Sequence, residues 1–302
     1  MAGNHLSVRF WGVRGSYPVP GEDIVKYGGN TSCVEIRAND HTIILDAGTG
    51  IVNLGHKLAE RTPASKHLDL TILLSHTHHD HIQGLPFFRP AFRPNCTLRF
   101  YGPKILSKDL EPILRNAMSP QYSPIELEEL KSSVEIQNIN ENNILVFSGE
   151  SEPTVVTQNE FDGVGRGKVI VRLLRSYGHP KVGVFIYKIE ANGKSVVYAS
   201  DTEGYVGGDA RLIDFARNAS LLIHDAQYTP EEYLNKGFPK QGFGHSTYEM
   251  AADVAKSANV EHLVLFHHDP THTDAQIAEM EVKTCEIFPN SKAGAEGLEF
   301  TF

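Results

Sequence analysis

Cysteine is scarce in this sequence. There are three in 302 residues, Cys33, Cys96 and Cys285, and no Cys-x-x-Cys pair. That count and spacing argue against a disulfide framework or a thiolate metal cage, and three reduced, mostly buried thiols are expected. Long apolar runs are missing as well, and none approaches the roughly 20 residues of a membrane span. The opening MAGNHLSVRFWGVRGS lacks the charged-then-apolar layout of a secretory leader, so a cytoplasmic protein with no membrane partner is expected. Positive charge is in deficit, with 28 Lys+Arg against 37 Asp+Glu and a formal net charge of -9. A large nucleic acid fits that balance poorly, because sequence-independent binding needs a basic surface. A small anionic substrate stays compatible, since bound divalent cations reverse the local sign. No Pro-rich or Ser-rich linker, short-period repeat or low-complexity tract interrupts the chain. One domain over 1–302 is the economical reading.

What the chain does have is histidine, fifteen in all. Four fall in the stretch LLSHTHHDHIQG: His76, His78, His79 and His81, with Asp80 among them. They follow the apolar run TILLS, and burying polar rings and an acid there is costly unless something pairs with them. A strand ending in a tight loop aims alternate residues at one point. His76 and His78 can then grip one ion, while Asp80 and His81 reach a second. His79 fits neither group and is read as a non-ligand. Imidazole and carboxylate suit zinc first, and manganese or iron as well. Further ligands are offered by other apolar runs: His179 in SYGHP, Asp201 in SVVYASDTEG as a bridging carboxylate, and His267 in HLVLFHHDP. His267 is preferred to His268 because it leaves the strand first.

Short β-rich runs recur from LSVRFWGV to LEFTF. Alternation in SVRF and VEIR predicts burial on one face, and the continuous TILLS and LVLF runs predict central strands. ANGK at 191–194 reads as a hairpin turn. Helical periodicity marks 51–61, 109–118, 124–130, 210–219, 246–258 and 273–288. Strands come in runs followed by helices, which predicts two packed sheets with helices outside. Residues 149–168 read as a loop or irregular hairpin, and residues 90–150 as a cap over a cleft or a subunit contact.

The HTHHDH motif, the GH of SYGHP, the SD of YASDTEG and the final LFHH occur in the order of the metallo-β-lactamase superfamily, which the whole chain resembles. The resemblance implies an α/β fold, a four-layer αββα sandwich with a di-metal cleft at the sheet edges. It implies one ion on His76, His78 and His179, another on Asp80, His81 and His267, and a bridge from Asp201. It also gives Asp46 of LDAGTG a supporting role behind the ligands. LLIHDAQYTPEEY, with His224 and Asp225, and FGHSTYEMA, with His245, resemble the phosphodiesterase branch that includes ribonuclease Z. The HDAQ segment departs from the branch's His-Glu-Ala-Thr at its second and fourth positions. The implied chemistry is attack of a metal-bound hydroxide on phosphorus, with His245 as general acid and Asp225 orienting it. Asp80, itself a ligand, joins these two among the catalytic residues.

No basic, Gly-rich arm of the kind that clamps tRNA is evident, since GVGRGK at 163–168 is short. A small phosphodiester, such as a cyclic nucleotide or cyclic sugar phosphate, is therefore the expected substrate. Arg14, Lys181 and Lys240 are candidate phosphate contacts, and a homodimer is the assembly the branch suggests. The alternatives are an RNA or DNA nuclease, a thioester or lactone hydrolase of the same fold, and a non-catalytic metal-bound scaffold.

Overall fold

The architecture comes from a computed structural model that describes residues 5–104, 108–149, 152–163, 165, 167–205 and 207–302. Two mixed sheets face one another. The first contains β1 (Leu6–Gly12), β2 (Cys33–Ala38), β3 (His41–Leu45), β4 (Leu68–Leu73), β5 (Cys96–Pro103) and β6 (Ser133–Ile139). The second contains β7 (Asn143–Phe147), β8 (Thr154–Thr157), β9 (Val169–Ser176), β10 (Val184–Ala191), β11 (Lys194–Ala199), β12 (Leu221–Asp225), β13 (His262–Phe266) and β14 (Ser291–Ala293). A last strand, β15 (Glu299–Thr301), returns to the first sheet beside β1. The first sheet runs β15-β1-β2-β3-β4-β5-β6, and it is antiparallel as far as β3 and parallel from β3 onward. The second runs β14-β13-β12-β11-β10-β9-β7-β8, and it is parallel from β14 to β11 and antiparallel beyond.

Strand alternation sorts the side chains into layers. Val8, Phe10, Ile36 and Leu45 of the first sheet meet Phe185, Tyr187, Tyr198 and Phe266 of the second. On the outer face of the first sheet, α1 (Gly50–Arg61) sets Ile51, Leu54 and Leu58 against Ile44, Leu70 and Ile72. The short α2 (His79–Ile82) and α3 (Leu110–Ala117) complete that layer. Outside the second sheet lie α4 (Ala210–Phe215), α6 (Tyr248–Ser257) and α7 (Asp274–Ile287), and the short α5 (Pro230–Tyr233) follows β12. Ala251, Val254 and Ala255 of α6 pack on Val197, Leu222 and Leu263. The fold is the αββα sandwich that the resemblance implied. Among the described residues, no helix is long and apolar enough to cross a membrane.

Several local expectations change. SVRF and VEIR were expected to leave one face wet, yet the outward Glu35 is only 2% exposed. Trp11 Nε1 donates to it at 3.0 Å, and Arg37 and Arg61 close over it. The helix expected at 124–130 is a single 3-10 turn, Leu127–Glu129, since only Leu127 of that turn is buried. Residues 90–150 are not a separate cap, because β5, β6 and β7 are integral sheet strands. Within 149–168 the strand β8 pairs with β7, while Glu150, Ser151, Val164 and Arg166 lie outside the described residues. The 191–194 turn forms as expected, with Asn192 at φ 54 and Gly193 at φ 77.

Candidate metal centre

Parallel pairing brings the C-terminal ends of β3 and β4, and those of β11, β12 and β13, to one edge of the sandwich. The loop between β9 and β10 opens at the same edge, because β10 runs antiparallel to β11. Sites outside the carboxyl ends of parallel strands are the general tendency of such sheets. Here those ends carry Asp46, the run from Ser75 to His81, Asp201, Asp225 and His267, and the loop carries His179. Asp46 (φ 59), Asp201 (φ 53) and His267 (φ 61) all turn through the left-handed region. That conformation costs a non-glycine residue about 1–3 kcal/mol and persists where the surroundings over-determine it.

The donor atoms fall into two groups. Ring nitrogens of His76, His78 and His179 lie within 4.8 Å of one another, and so do the donor atoms of Asp80, His81, Asp201 and His267. Asp201 faces both. Its Oδ2 is 3.7 Å from His76 Nε2 and 3.9 Å from His179 Nε2. Its Oδ1 is 3.1 Å from His81 Nε2 and 3.4 Å from His267 Nε2. His76 Nε2 is buried with no hydrogen-bond partner. A buried polar atom without a partner is rare, and one aimed into a nest of imidazole and carboxylate donors fits a divalent metal.

The opposite ring nitrogens are fixed by the protein. Asp46 Oδ2 lies 2.7 Å from His81 Nδ1 and also accepts from Ser75 Oγ and Tyr198 OH, each at 2.8 Å. Ser75 Oγ is 3.1 Å from His76 Nδ1. His179 Nδ1 donates to the Gly244 carbonyl at 3.2 Å, and His267 Nδ1 to Gln227 Oε1 at 3.0 Å. Ser16 N donates to Asp80 Oδ2 at 2.8 Å. Such outer partners set the tautomer and aim of ligating histidines. Of these, only Asp46 was singled out as a supporting residue. Ser75, Tyr198, Gln227 and Gly244 carry no signal of their own.

The electrostatics differ between the groups. Burial pushes His76 well below its ordinary pKa, with His81 adding to the shift. Burial, then His179, lowers His78 to about 4. These rings are held neutral, the form that ligates metal. Around the second group burial is overcome by the carboxylates. Asp201 and Asp80 hold His81 well above the usual range, and Asp201 with the Asp80 hydrogen bond raises His267 to about 9. Asp80 and Asp201 resist burial too, held far below the carboxylate range by the His81 and His267 rings. Both carboxylates are therefore held ionised in a buried site, the form that ligates metal.

His245 stands at the rim, with a donor atom within 4.8 Å of those of His179 and Asp201. Its ring stacks on His267 at 4.9 Å and 15°. Asp225 Oδ2 lies 2.7 Å from His245 Nδ1, and Asp225 Oδ1 accepts from Ser246 N at 2.9 Å. All eight residues singled out as ligands or as His245 meet here, and Asp225 lies directly behind them. The others do not. His79 is exposed on α2. His224 donates to the Asp225 carbonyl and His268 to the Gly294 carbonyl. Arg14 is fully buried, giving its guanidinium to the carbonyls of Gly28, Asp269 and His272, so it is not a surface cation. Lys240 Nζ sits 4.5 Å from the Phe238 ring centroid, and Lys181 lines a cleft beside His179.

Comparison with known proteins gives a consistent result. A family model described as the beta-lactamase superfamily domain matches residues 41–268. The chain is 26% identical to a ribonuclease Z of Picrophilus torridus, covering 98% of this chain and 95% of that protein. Among solved structures, the metallo-beta-lactamase fold protein YhfI from Bacillus subtilis superposes with a TM-score of 0.68 at 19% identity, covering 99% of this chain and 100% of that one. The short form of human tRNase Z gives a TM-score of 0.62 at 21% identity, covering 97% and 98%.

Proposed function

Since this chain belongs to the beta-lactamase superfamily, a family of metal-dependent hydrolases, we propose that it is a phosphodiesterase whose centre takes two divalent ions. The observation that carries this reading is the division of Asp201, one oxygen toward each donor group, beneath a histidine backed by a carboxylate. His76, His78 and His179 would hold one ion and Asp80, His81 and His267 the other, with Asp201 between them. Zinc is the first choice, and the same donors accept manganese or iron. Bound there, the ions would activate water at neutral pH and offset charge on the phosphoryl oxygens. Asp225 accepts from Nδ1 of His245, which leaves Nε2 to give its proton to the departing alkoxide. The carboxylate also stabilises the charged ring before that transfer.

Net charge favours a small phosphodiester as substrate. A second reading, hydrolysis of RNA, is favoured by the match to a ribonuclease Z along nearly the whole chain. The expectation against large nucleic acids is weakened accordingly, because charge summed over a surface says little about one cleft. The test strips the protein of metal, reloads it, and measures hydrolysis of bis(p-nitrophenyl) phosphate, cyclic nucleotides and a tRNA precursor with a 3′ trailer. Activity should return with metal. His245→Ala should lose about 10²–10⁴-fold on esters with alkoxide leaving groups. Metal-loaded protein that cleaves thioesters or lactones but no phosphodiester would end the proposal.

A further inference from the structure

The cleft beside the metal centre shares His179 with it, and its other lining residues have no part in the chemistry described above. Its volume is about 300 Å³, and it lies where the end of β5 meets the loop between β9 and β10. Lys104 reaches it from the first sheet and the other lining residues come from the second, at the same edge as the metal centre. Among the described residues, Lys104, Arg175 and Lys181 line it and no carboxylate does, in a chain whose acids outnumber its bases. Arg175 is fixed in place. Its Nη2 donates to the Val182 carbonyl at 2.9 Å, and its guanidinium carbon lies 5.4 Å from the Tyr177 ring centroid. The Tyr177 side of this stack is open, since Tyr177 is 69% exposed. Lys181 has no ion-pair partner among the described residues. Lys104 pairs at 3.0 Å with Asp109, which lies outside the lining.

A concave, one-sign lining focuses potential, and guanidinium and ammonium groups are the usual partners of phosphate. An aromatic ring backed by a guanidinium offers a stacking face to a base or the flat side of a sugar. We propose that this cleft is a second phosphate subsite. The substrate carries another phosphate near the scissile diester, seated by Lys181, Lys104 and Arg175, with its base or sugar against Tyr177. The inference rests on the phosphodiesterase reading and narrows its substrate class to diesters bearing an additional phosphate. Oligonucleotides and phosphorylated cyclic sugars both satisfy it.

The test compares inhibitors of bis(p-nitrophenyl) phosphate hydrolysis by the metal-loaded protein. The probes are UMP, uridine 3′,5′-bisphosphate and the base-free fructose 1,6-bisphosphate. At least one bisphosphate should inhibit better than UMP by about tenfold, the scale of one charge-assisted hydrogen bond. Lys181→Ala and Lys104→Ala should each remove most of that advantage. Lys194→Ala, at the turn on the opposite end of β10, should retain it. Tyr177→Ala should weaken the uridine probe more than the sugar probe where a base occupies the ring, and both equally where a sugar does. No bisphosphate advantage, or an advantage equal in Lys181→Ala and Lys194→Ala, overturns the subsite. If the wild type does not hydrolyse the reporter, the phosphodiesterase reading fails separately. Calorimetric binding of the same bisphosphates to the same holoprotein then still decides the cleft.

Discussion

Asp225 decides which nitrogen of His245 faces the centre, because its Oδ2 lies 2.7 Å from Nδ1. Replacing it by Asn keeps an acceptor but removes the charge that supports a protonated ring. Asp225→Asn should therefore lower kcat by about 10²–10⁴-fold on alkyl phosphodiesters, and much less on p-nitrophenyl esters, whose leaving group needs no proton. Equal losses on both ester types, with metal content intact, would remove His245 from the role of acid. The thiols give a second test at this scale. Burial pushes the Cys33 thiol well above its ordinary pKa and raises that of Cys96 to about 12. Cys285 is only half-buried. Iodoacetamide at pH 8 should therefore modify Cys285 alone in the native protein and all three cysteines in denaturant, as read by mass spectrometry. Native modification of Cys33 or Cys96 would refute that. The residues brought together at the edge were legible because histidines and acids at strand exits are costly without a partner. Tyr198, Ser75 and Gln227 were not legible. They are ordinary residue types, and Tyr198 meets Asp46 only through the packing of one sheet on the other. The left-handed turns at Asp46, Asp201 and His267 were not legible either, since Asp and His tolerate that conformation but occur far more often outside it.

Among the elements, the segment that follows β11 does more than carry Asp201. Glu203 Oε1 accepts from Tyr233 OH at 2.6 Å and Gly242 N at 2.7 Å, and Oε2 accepts from Gly244 N at 2.9 Å. Gly244, at φ 89, passes so close to His179 that a Cβ there would lie 2.4 Å from its Nδ1. Glu203 thus ties the β11 exit to the glycine-containing loop that contacts His179 and leads straight into His245. It is a positioning residue, and misplacing catalytic groups by about 1 Å can cost 10²-fold. Glu203→Ala should lower kcat by about 10–100-fold while KM changes little, with a larger loss on alkyl than on p-nitrophenyl esters. A loss independent of the leaving group would show that the loop does not act through His245. The longer elements could be read in advance because their patterns and caps agree. Thr247 and Thr273 cap α6 and α7 through their side chains, each before a periodic apolar run. The strands β8 and β14 have only 4 and 3 residues and exist through pairing with a neighbour, which local pattern does not encode. The helix expected at 124–130 failed for the related reason that a short amphipathic run needs a surface to pack on.

At the scale of the whole molecule, the centre joins the two sheets. His76, His78, Asp80 and His81 leave the first sheet, while Asp201 and His267 leave the second and His179 lies in one of its loops. Between the sheets the contact is apolar and non-directional, built from residues such as Phe10, Tyr187 and Phe266. At this edge it is polar, with Asp80, Asp201 and the unpartnered His76 Nε2 buried together. An ion bound only by the folded arrangement stabilises it by mass action, about 4 kcal/mol when its concentration is 1,000 times Kd. For a chain of this size that corresponds to a fall in Tm of roughly 6 °C when the ion is removed. Differential scanning calorimetry with and without a chelator, alongside metal analysis, measures it. His76→Ala should behave differently in the two states. It should lower Tm in the metal-loaded protein, where a ligand is lost. It should lower Tm less in the stripped protein, where the ring's packing and its contact with Ser75 are lost but a buried nitrogen without a partner is removed as well. An unchanged Tm in protein shown to have released its metal would mean that the apolar contact alone sets the sheet-to-sheet packing, and that the ions serve chemistry without supporting the fold.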